Sequence, residues 1–192
     1  MKIVAPIPTR LPRSLRSAPD FAAIMRVASQ VSKLGDGVVV GELAIALHGV
    51  EKSVGSIDLS CEDRWETHLC LEDIGVYWNQ NFKAHEIDGV AVTLVPRTLL
   101  GLETVRGQNI AGIRVLTLAE LVESKLHATL ESLANVRHLA DLVEIIQQVP
   151  EARTFGDSLS KQFRDPYLEL CSQLAGRSLS SMNAIEFWKK YA

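Results

Sequence analysis

One stretch of the chain, residues 38–59, holds the side chains whose types and spacing could do chemistry. It reads as an apolar strand, Val38–Val40, then Gly41, a short helix, a polar turn and a second strand, Ser56–Leu59, which contains Asp58. The backbone N–H groups at the start of such a helix can face an anion, and carboxylates on the next strand can face Mg²⁺. The layout therefore predicts a site that holds nucleotide phosphates beside a metal ion.

From Gly41 to Leu59 the segment resembles, without a gap, the signature of the nucleotidyltransferase superfamily, which has the DNA polymerase β fold. The nearest branch is the AbiEii-type toxin and minimal nucleotidyltransferase group. Its pattern runs Gly-Gly, a small apolar helix, His-Gly, and then Arg-x-Thr-x-Asp-Ile-Asp-Leu. The sharpest matches are His48-Gly49 and Ile57-Asp58-Leu59.

The resemblance continues downstream and covers about residues 20–148. The strand Val90–Pro96 stands where the family has a third carboxylate. Val115–Leu121 with Lys125–Ala128, and later Asp141-Leu142, resemble family phrases on the helices that follow. The fold that this implies is nucleotidyltransferase-like.

Departures from the family pattern fall on the functional positions. Glu42 replaces a glycine, Lys52 an arginine, Val54 a threonine, Ser56 an aspartate, and Thr93 stands at the third carboxylate. Of the three expected metal ligands only Asp58 remains. By resemblance, the site residues are Ser56, Asp58 and Thr93 for catalysis, Asp58 for the metal, and Gly41, Glu42, Lys52 and Lys125 for the nucleotide.

The loss of carboxylates weakens metal chemistry, because Mg²⁺ gives up water reluctantly and needs negative charge to offset the cost. Three carboxylates supply −3, whereas Asp58 alone supplies −1 and hydroxyls are neutral ligands. Glu62 lies about 13 Å further along an extended strand, so it joins only if the strand bends sharply. Glu42 at the helix start would repel a triphosphate. We expect Mg²⁺ to bind weakly or not at all. Whether a nucleoside triphosphate binds as a cofactor stays open.

Plain structural roles compete with these assignments. Gly41 and Gly49 also suit helix ends, and His48 suits a last helical turn. Lys52 is expected to be a solvated turn lysine, or else to meet a phosphate. Lys125 either snorkels beside an apolar stripe or approaches a nucleotide. We predict that His127 and His138 lie at the surface. Asp141 is predicted either to cap its helix or to pair with Arg137.

The elements around this stretch indicate the α+β class. Asp20 caps a first helix whose apolar stripe is Phe21, Ile24, Met25, Ala28 and Val31. The further predictions are a helix over 63–73, a hairpin of Phe82–Glu86 and Val90–Val95 around Asp88-Gly89, a short strand over Ile110–Leu116, a long helix capped by Thr117 and broken at Asn135, and helices over Val136–Val149 and Asp157–Leu174.

Composition and charge divide the chain into three parts. The 192 residues are 47% hydrophobic and 22% charged, which excludes bulk disorder. The net charge is −3, but residues 1–19 carry +4 without an acid, so the remainder carries −7. We predict a basic, proline-rich arm over 1–19, a nucleotidyltransferase-like core over 20–116 and a helical region over 117–192.

The compartment is expected to be the cytoplasm. Three cysteines, Cys61, Cys70 and Cys171, are odd in number and form no C-x-x-C pair, which favours reduced thiols. No apolar run approaches the roughly 20 residues that span a bilayer, and the first residues lack the apolar region of a signal peptide. We expect no membrane association, and a homo-oligomer stays open.

Three functions fit the sequence. The first is a catalytically impaired nucleotidyltransferase-fold protein, a pseudoenzyme, that binds a nucleotide, RNA or a cognate protein partner, as in toxin–antitoxin pairs. The second is an active, toxin-like Mg²⁺-dependent nucleotidyltransferase that modifies RNA or protein. The third is a structural or regulatory module without a ligand. Hydrolase chemistry is unsupported, because the sequence has no G-x-S-x-G elbow.

Overall fold

The computed structural model describes residues 20–80, 83–131 and 136–175. Its strands are β1 (Val38–Val40), β2 (Ser56–Cys61), β3 (Trp78–Asn79), β4 (Ala84–Ile87), β5 (Val90–Pro96), β6 (Gln108–Ile110) and β7 (Ile113–Val115). They form one mixed sheet in the order β3-β4-β5-β2-β1-β7-β6. The helices are α1 (Phe21–Val31), α2 (Gly41–Leu47), α3 (Arg64–Asp73), α4 (Leu118–Glu131), α5 (Val136–Gln148) and α6 (Lys161–Leu174). The predicted α+β class, a mixed sheet flanked by helices, is confirmed.

The centre of the sheet is the strand–helix–strand unit that the sequence predicts. β1 and β2 pair antiparallel, with Val40 opposite Asp58, and α2 connects them. β5 pairs parallel to β2 on its other side, with Thr93 opposite Asp58. The prediction that β1 and β2 are neighbours in one sheet, with a short helix between them, is therefore confirmed.

The two faces of β2 and β5 differ in burial because side chains alternate along a strand. One face is apolar and buried, with Ile57 and Leu59 on β2 and Val92 and Leu94 on β5. Helices α1 and α3 pack against these strands. The opposite face carries three half-buried polar side chains, Ser56, Asp58 and Thr93, and we call this set of side chains the polar cleft.

The start of α4 is fixed by a reciprocal cap that ties the helices to the sheet. The Thr117 Oγ1 accepts from the Glu120 N–H at 3.2 Å, and the Glu120 carboxylate accepts from the Thr117 N–H at 2.8 Å. The same carboxylate accepts the backbone N–H groups of Arg106 and Gly107 at 2.6 and 3.1 Å. Although burial works the other way, these bonds hold the pKa of Glu120 below its usual value.

Two element predictions and the burial of one residue are corrected, and one strand was not predicted. The strand predicted over Ile110–Leu116 is the hairpin β6–β7, because Ala111 and Gly112 take positive φ values of 51° and 81° and reverse the chain. The helix predicted from Asp157 begins at Lys161, since Pro150–Ser158 is a 3₁₀ helix. The strand β3 was not predicted. Phe21 was predicted in the buried stripe of α1, yet it is 53% exposed because the buried face runs through Ile24, Val27, Ala28 and Val31.

Some predictions fall on residues outside the described ranges. They concern the arm over 1–19, the break at Asn135 and Phe82 at the start of the predicted hairpin. The division of the chain into three parts also stays a prediction. Across the described ranges, no helix has both the length and the apolar character that a bilayer crossing requires.

Candidate functional site

The polar cleft is built where β2 runs between β1 and β5. Asp58 lies opposite Thr93 in the parallel pairing, about 4.8 Å away across the strands. Ser56 precedes Asp58 by two residues, so it lies on the same face about 7 Å along the strand. The structure thus brings Ser56, Asp58 and Thr93 together on one face, and two hydroxyls flank a single carboxylate.

Gly41 allows the Asp58 carboxylate to lie against the start of α2. Its φ is +69°, a left-handed conformation that glycine adopts without strain, and a Cβ at this position would collide with the Asp58 Oδ2. Glu42 follows in the first turn of α2 and is exposed. The helix start that could have faced a phosphate therefore has two carboxylates beside it.

The Asp58 carboxyl is shifted toward its protonated form. Burial raises its pKa above the usual value, the charge of Glu42 raises it further, and the ammonium group of Lys125 partly opposes both. Among the residues that the structure describes, none forms a hydrogen bond or an ion pair with the Asp58 carboxyl.

Lys125 reaches the cleft from α4 but is held by a carboxylate on α5. Its Nζ donates to the Asp141 Oδ2 at 2.5 Å, and the two residues are 8% and 7% exposed. The Nζ also lies 3.4 Å from the His138 Nδ1. Burial, and then the charge of Lys125, lower the pKa of His138, which is half-buried rather than at the surface as predicted.

Lys52 is bound from the same side. Its Nζ donates to the Asp141 Oδ1 and to the Glu144 Oε2, each at 2.7 Å. Burial opposes the charged form of Lys52, but these two carboxylates raise its pKa above the usual value. The prediction of a solvated turn lysine is wrong, because α5 packs beside the turn and supplies two acids.

Asp141 connects the two lysines. Burial would raise its pKa, but Lys125 and Lys52 together hold it below the usual value. The expected pairing with Arg137 is replaced by these two ion pairs. We call Glu42, Lys52, Asp58, Lys125, Asp141 and Glu144 the Asp58 cluster; four carboxylates and two ammonium groups give it a formal charge of −2.

The donor set around Asp58 does not fit a two-metal centre. It offers one carboxylate and two neutral hydroxyls, and Glu42 points from an exposed helix turn. No three His, Cys, Asp or Glu side chains in the described ranges lie close enough to share a metal ion. Glu62 stays away from the cleft, because it pairs with Arg97, whose Nη1 lies 3.4 Å from its Oε2.

Two histidines have structural positions. The His48 Nε2 donates to the Leu116 carbonyl at 2.8 Å, which joins the end of α2 to the residue after β7. Burial lowers the pKa of His48, and that hydrogen bond only partly opposes the shift. His127 packs its half-buried ring against Gly101 and Phe163, so its predicted surface position is corrected.

Sequence reasoning did not identify Glu144, nor the partners of Asp141. A signal was available: Asp141 and Glu144 are spaced i, i+3 on an amphipathic helix, and Lys125 lies on the apolar stripe of the preceding helix. Acids so placed on a packed helix need a cation, and Lys125 needs an anion.

Fold and cleft together define a class: an α+β protein with a strand–helix–strand unit whose second strand presents a lone carboxylate. Among solved structures, the chain is similar to a crystal structure described as an antigenic nucleotidyltransferase-like protein from Paracoccidioides brasiliensis. The identity is 13% and the TM-score 0.44, over 88% of this chain and 93% of that one. No protein-family profile and no curated protein matches the chain.

Proposed function

We propose that this chain is a nucleotidyltransferase-fold protein of the AbiEii-like group whose catalytic centre is impaired and which acts by binding a partner. One observation carries the proposal. Thr93 lies opposite Asp58 on the neighbouring strand, and Ser56 lies two residues before Asp58 on the same face of the sheet. These three positions are adjacent, as a three-carboxylate site requires, but two of them hold hydroxyls.

Impaired catalysis follows from charge. Nucleotidyl transfer in this fold depends on carboxylates that hold divalent ions against a triphosphate. Here a single carboxyl remains, with its pKa raised by burial and by Glu42. Ser56 and Thr93 supply neutral oxygens, which hold Mg²⁺ too weakly to position it.

Among a nucleotide, RNA and a protein, the Asp58 cluster favours a protein partner. Lys52 and Lys125, the two cations that could meet a phosphate, are already bound to Asp141 and Glu144. Withdrawing Lys52 would take from Glu144 the ammonium group that it pairs with, and withdrawing Lys125 would leave Asp141 with Lys52 alone. The cluster's formal charge of −2 also repels a triphosphate. A basic side chain of a partner suits the Asp58 carboxyl.

The test is a nucleotide incorporation assay with each labelled nucleoside triphosphate, in Mg²⁺ and in Mn²⁺, against RNA and protein acceptors. We expect incorporation at background, and no heat of binding when the triphosphates are titrated into the protein. Turnover that disappears in the Asp58→Ala variant would overturn the proposal in favour of an active enzyme. The Asp58→Asn variant is the matched control, since it keeps the shape of the side chain and removes its charge.

A further inference from the structure

A second surface of the protein lies far along the sheet from Asp58. Five large apolar side chains are exposed on α3 and on the segment that leads into β3: Trp65 (66%), Leu69 (41%), Ile74 (59%), Tyr77 (69%) and Trp78 (38%). We call this the aromatic face. Monomeric proteins rarely expose such clusters unless something binds there.

The rings of the two tryptophans pack against a pair of histidines. The ring centroids of Trp65 and His68 are 5.2 Å apart, those of His68 and His85 5.1 Å, and those of His85 and Trp78 5.2 Å. His68 Nδ1 and His85 Nε2 are hydrogen-bonded at 2.9 Å. The four rings contact one another in series, in tilted and edge-on arrangements, so the two tryptophans of the aromatic face are held in place and lose less conformational entropy when the face binds.

The charge beside the aromatic face is strongly negative. Between residues 62 and 73 the chain carries five acids against Arg64, a net charge of −4. Glu66, next to Trp65, is exposed. A surface of aromatic rings flanked by carboxylates suits arginine side chains, which stack on rings and pair with acids, and it repels nucleic acid.

We propose that the occupant of the aromatic face is the chain's own amino-terminal arm, residues 1–19. The arm carries Lys2, Arg10, Arg13 and Arg16 without an acid, a charge of +4, whereas residues 62–73 carry −4, of which Arg97 offsets one charge at Glu62. It also contains four prolines, and proline-rich segments bind aromatic surfaces with little loss of entropy. The proline content and the positive charge of the arm therefore both suit the aromatic face.

The arm can reach the surface. It joins α1 at Asp20, and the loop after α1 lines a cavity of about 300 Å³ together with Asp63 and Glu66 of the α3 start. The 11 residues of α1 are about 16 Å long. Nineteen residues span up to about 60 Å when extended, so tethering supplies a high local concentration at this distance.

The experiment is photo-crosslinking within the full-length chain. Benzoylphenylalanine replaces Leu15 between two of the arm's arginines, and the products are mapped by mass spectrometry. We expect monomeric products joined to residues 62–78. The Arg10→Gln/Arg13→Gln/Arg16→Gln variant should lower their yield about fivefold, and salt at about 0.5 M should do the same.

The control variants separate binding from general effects. Trp65→Ala should lower the yield, whereas Leu99→Ala, at a side chain 63% exposed outside the face, should not. Far-UV circular dichroism of each variant checks the fold. Crosslinks that map elsewhere, or a yield indifferent to both salt and Trp65, overturn the proposal. Dimeric products would assign the aromatic face to the arm of a second copy. A probe in place of Phe187 that labels residues 62–78 would assign the face to the carboxyl-terminal segment. Either result overturns the proposal.

Discussion

Replacing Asp141 by alanine removes the carboxylate that accepts from both Lys125 and Lys52. Lys125, which is 8% exposed, then keeps the His138 ring as a close polar neighbour and the charge of Asp58 further away. Lys52 keeps Glu144, at 2.7 Å. The variant therefore leaves the buried Lys125 ammonium group without an ion pair among the described residues.

The magnitude follows from that burial. Breaking a buried ion pair by removing one partner costs about 3–5 kcal/mol, because the other charge is stranded in a low dielectric. For a chain of this size, each kcal/mol lowers the melting temperature by about 2–4 °C, so we expect a fall of about 10 °C. Removing both charges, in Lys125→Met/Asp141→Leu, should recover most of the loss.

Urea unfolding at several pH values measures the effect, with Glu144→Ala as the matched control. Glu144 lies one turn further along α5 and is 35% exposed, so its loss should cost less than about 1 kcal/mol. The folded pKa of Asp141 is lowered. Its stabilisation is therefore present above the unfolded value of about 3.9 and is lost as the pH falls through the folded value, a dependence that Asp141→Ala should remove.

The reasoning is refuted if Asp141→Ala unfolds at the same urea concentration as Glu144→Ala. The cost of stranding Lys125 would then be absent. A double variant that is no more stable than Asp141→Ala would likewise show that burial of the charge is not the cause.

Three further outcomes are expected. The double variant Ser56→Asp/Thr93→Asp should be less stable than the parent without metal and regain stability with Mn²⁺; an Mn²⁺-dependent melting shift no larger than the parent's would show that the positions do not converge. Gly41→Ala should lower the free energy of unfolding in urea by about 2–3 kcal/mol, which is more than Gly49→Ala should. Both glycines have positive φ, but only at Gly41 would a Cβ collide with side-chain atoms, those of Asp58. Equal losses would argue against the close approach of the Asp58 carboxylate to Gly41. Burial, and then the neighbouring imidazole, lower the pKa of His85, so the contribution of His85 to stability should be constant above about pH 6.5 and fall as the pH drops toward the folded value. Because the pKa values of His48 and His138 are lowered too, His85→Phe should make the decline of the melting temperature shallower without removing it, and an unchanged profile would contradict the assignment.

The sequence allowed the local parts of the fold to be predicted, and the reason is visible at single residues. Asp88 and Gly89 take φ values of 50° and 79°, the turn that Asp-Gly favours, and the hairpin β4–β5 forms around them as predicted. The hairpin β6–β7 was not predicted, because Ala111 is a poor signal for a residue with positive φ. Capping by Asp20 was predicted, since its side chain accepts from the Ala22 N–H at 2.6 Å within the same turn.

The electrostatics of the candidate site could not be predicted in the same way. Lys52 and Asp141 are 89 residues apart, and no local pattern specifies that α5 packs beside the turn after α2. The pairing of His68 with His85, across 17 residues, likewise depends on how α3 lies against β4. The convergence of Ser56, Asp58 and Thr93 was predictable because the pleat of β2 fixes two of them and the family resemblance implied the third.

The position of β1 has a consequence for how the chain folds. Its two neighbours come from distant parts of the sequence: β2, about 20 residues later, and β7, where Val39 lies opposite Val115. One edge of β1 therefore stays open until the chain has been made as far as β7. Such long-range pairing slows folding, and an open apolar edge invites association between chains. Truncations that end before Ile113 should consequently accumulate as aggregates. The full chain should fold cooperatively, and only after β7 has been synthesised.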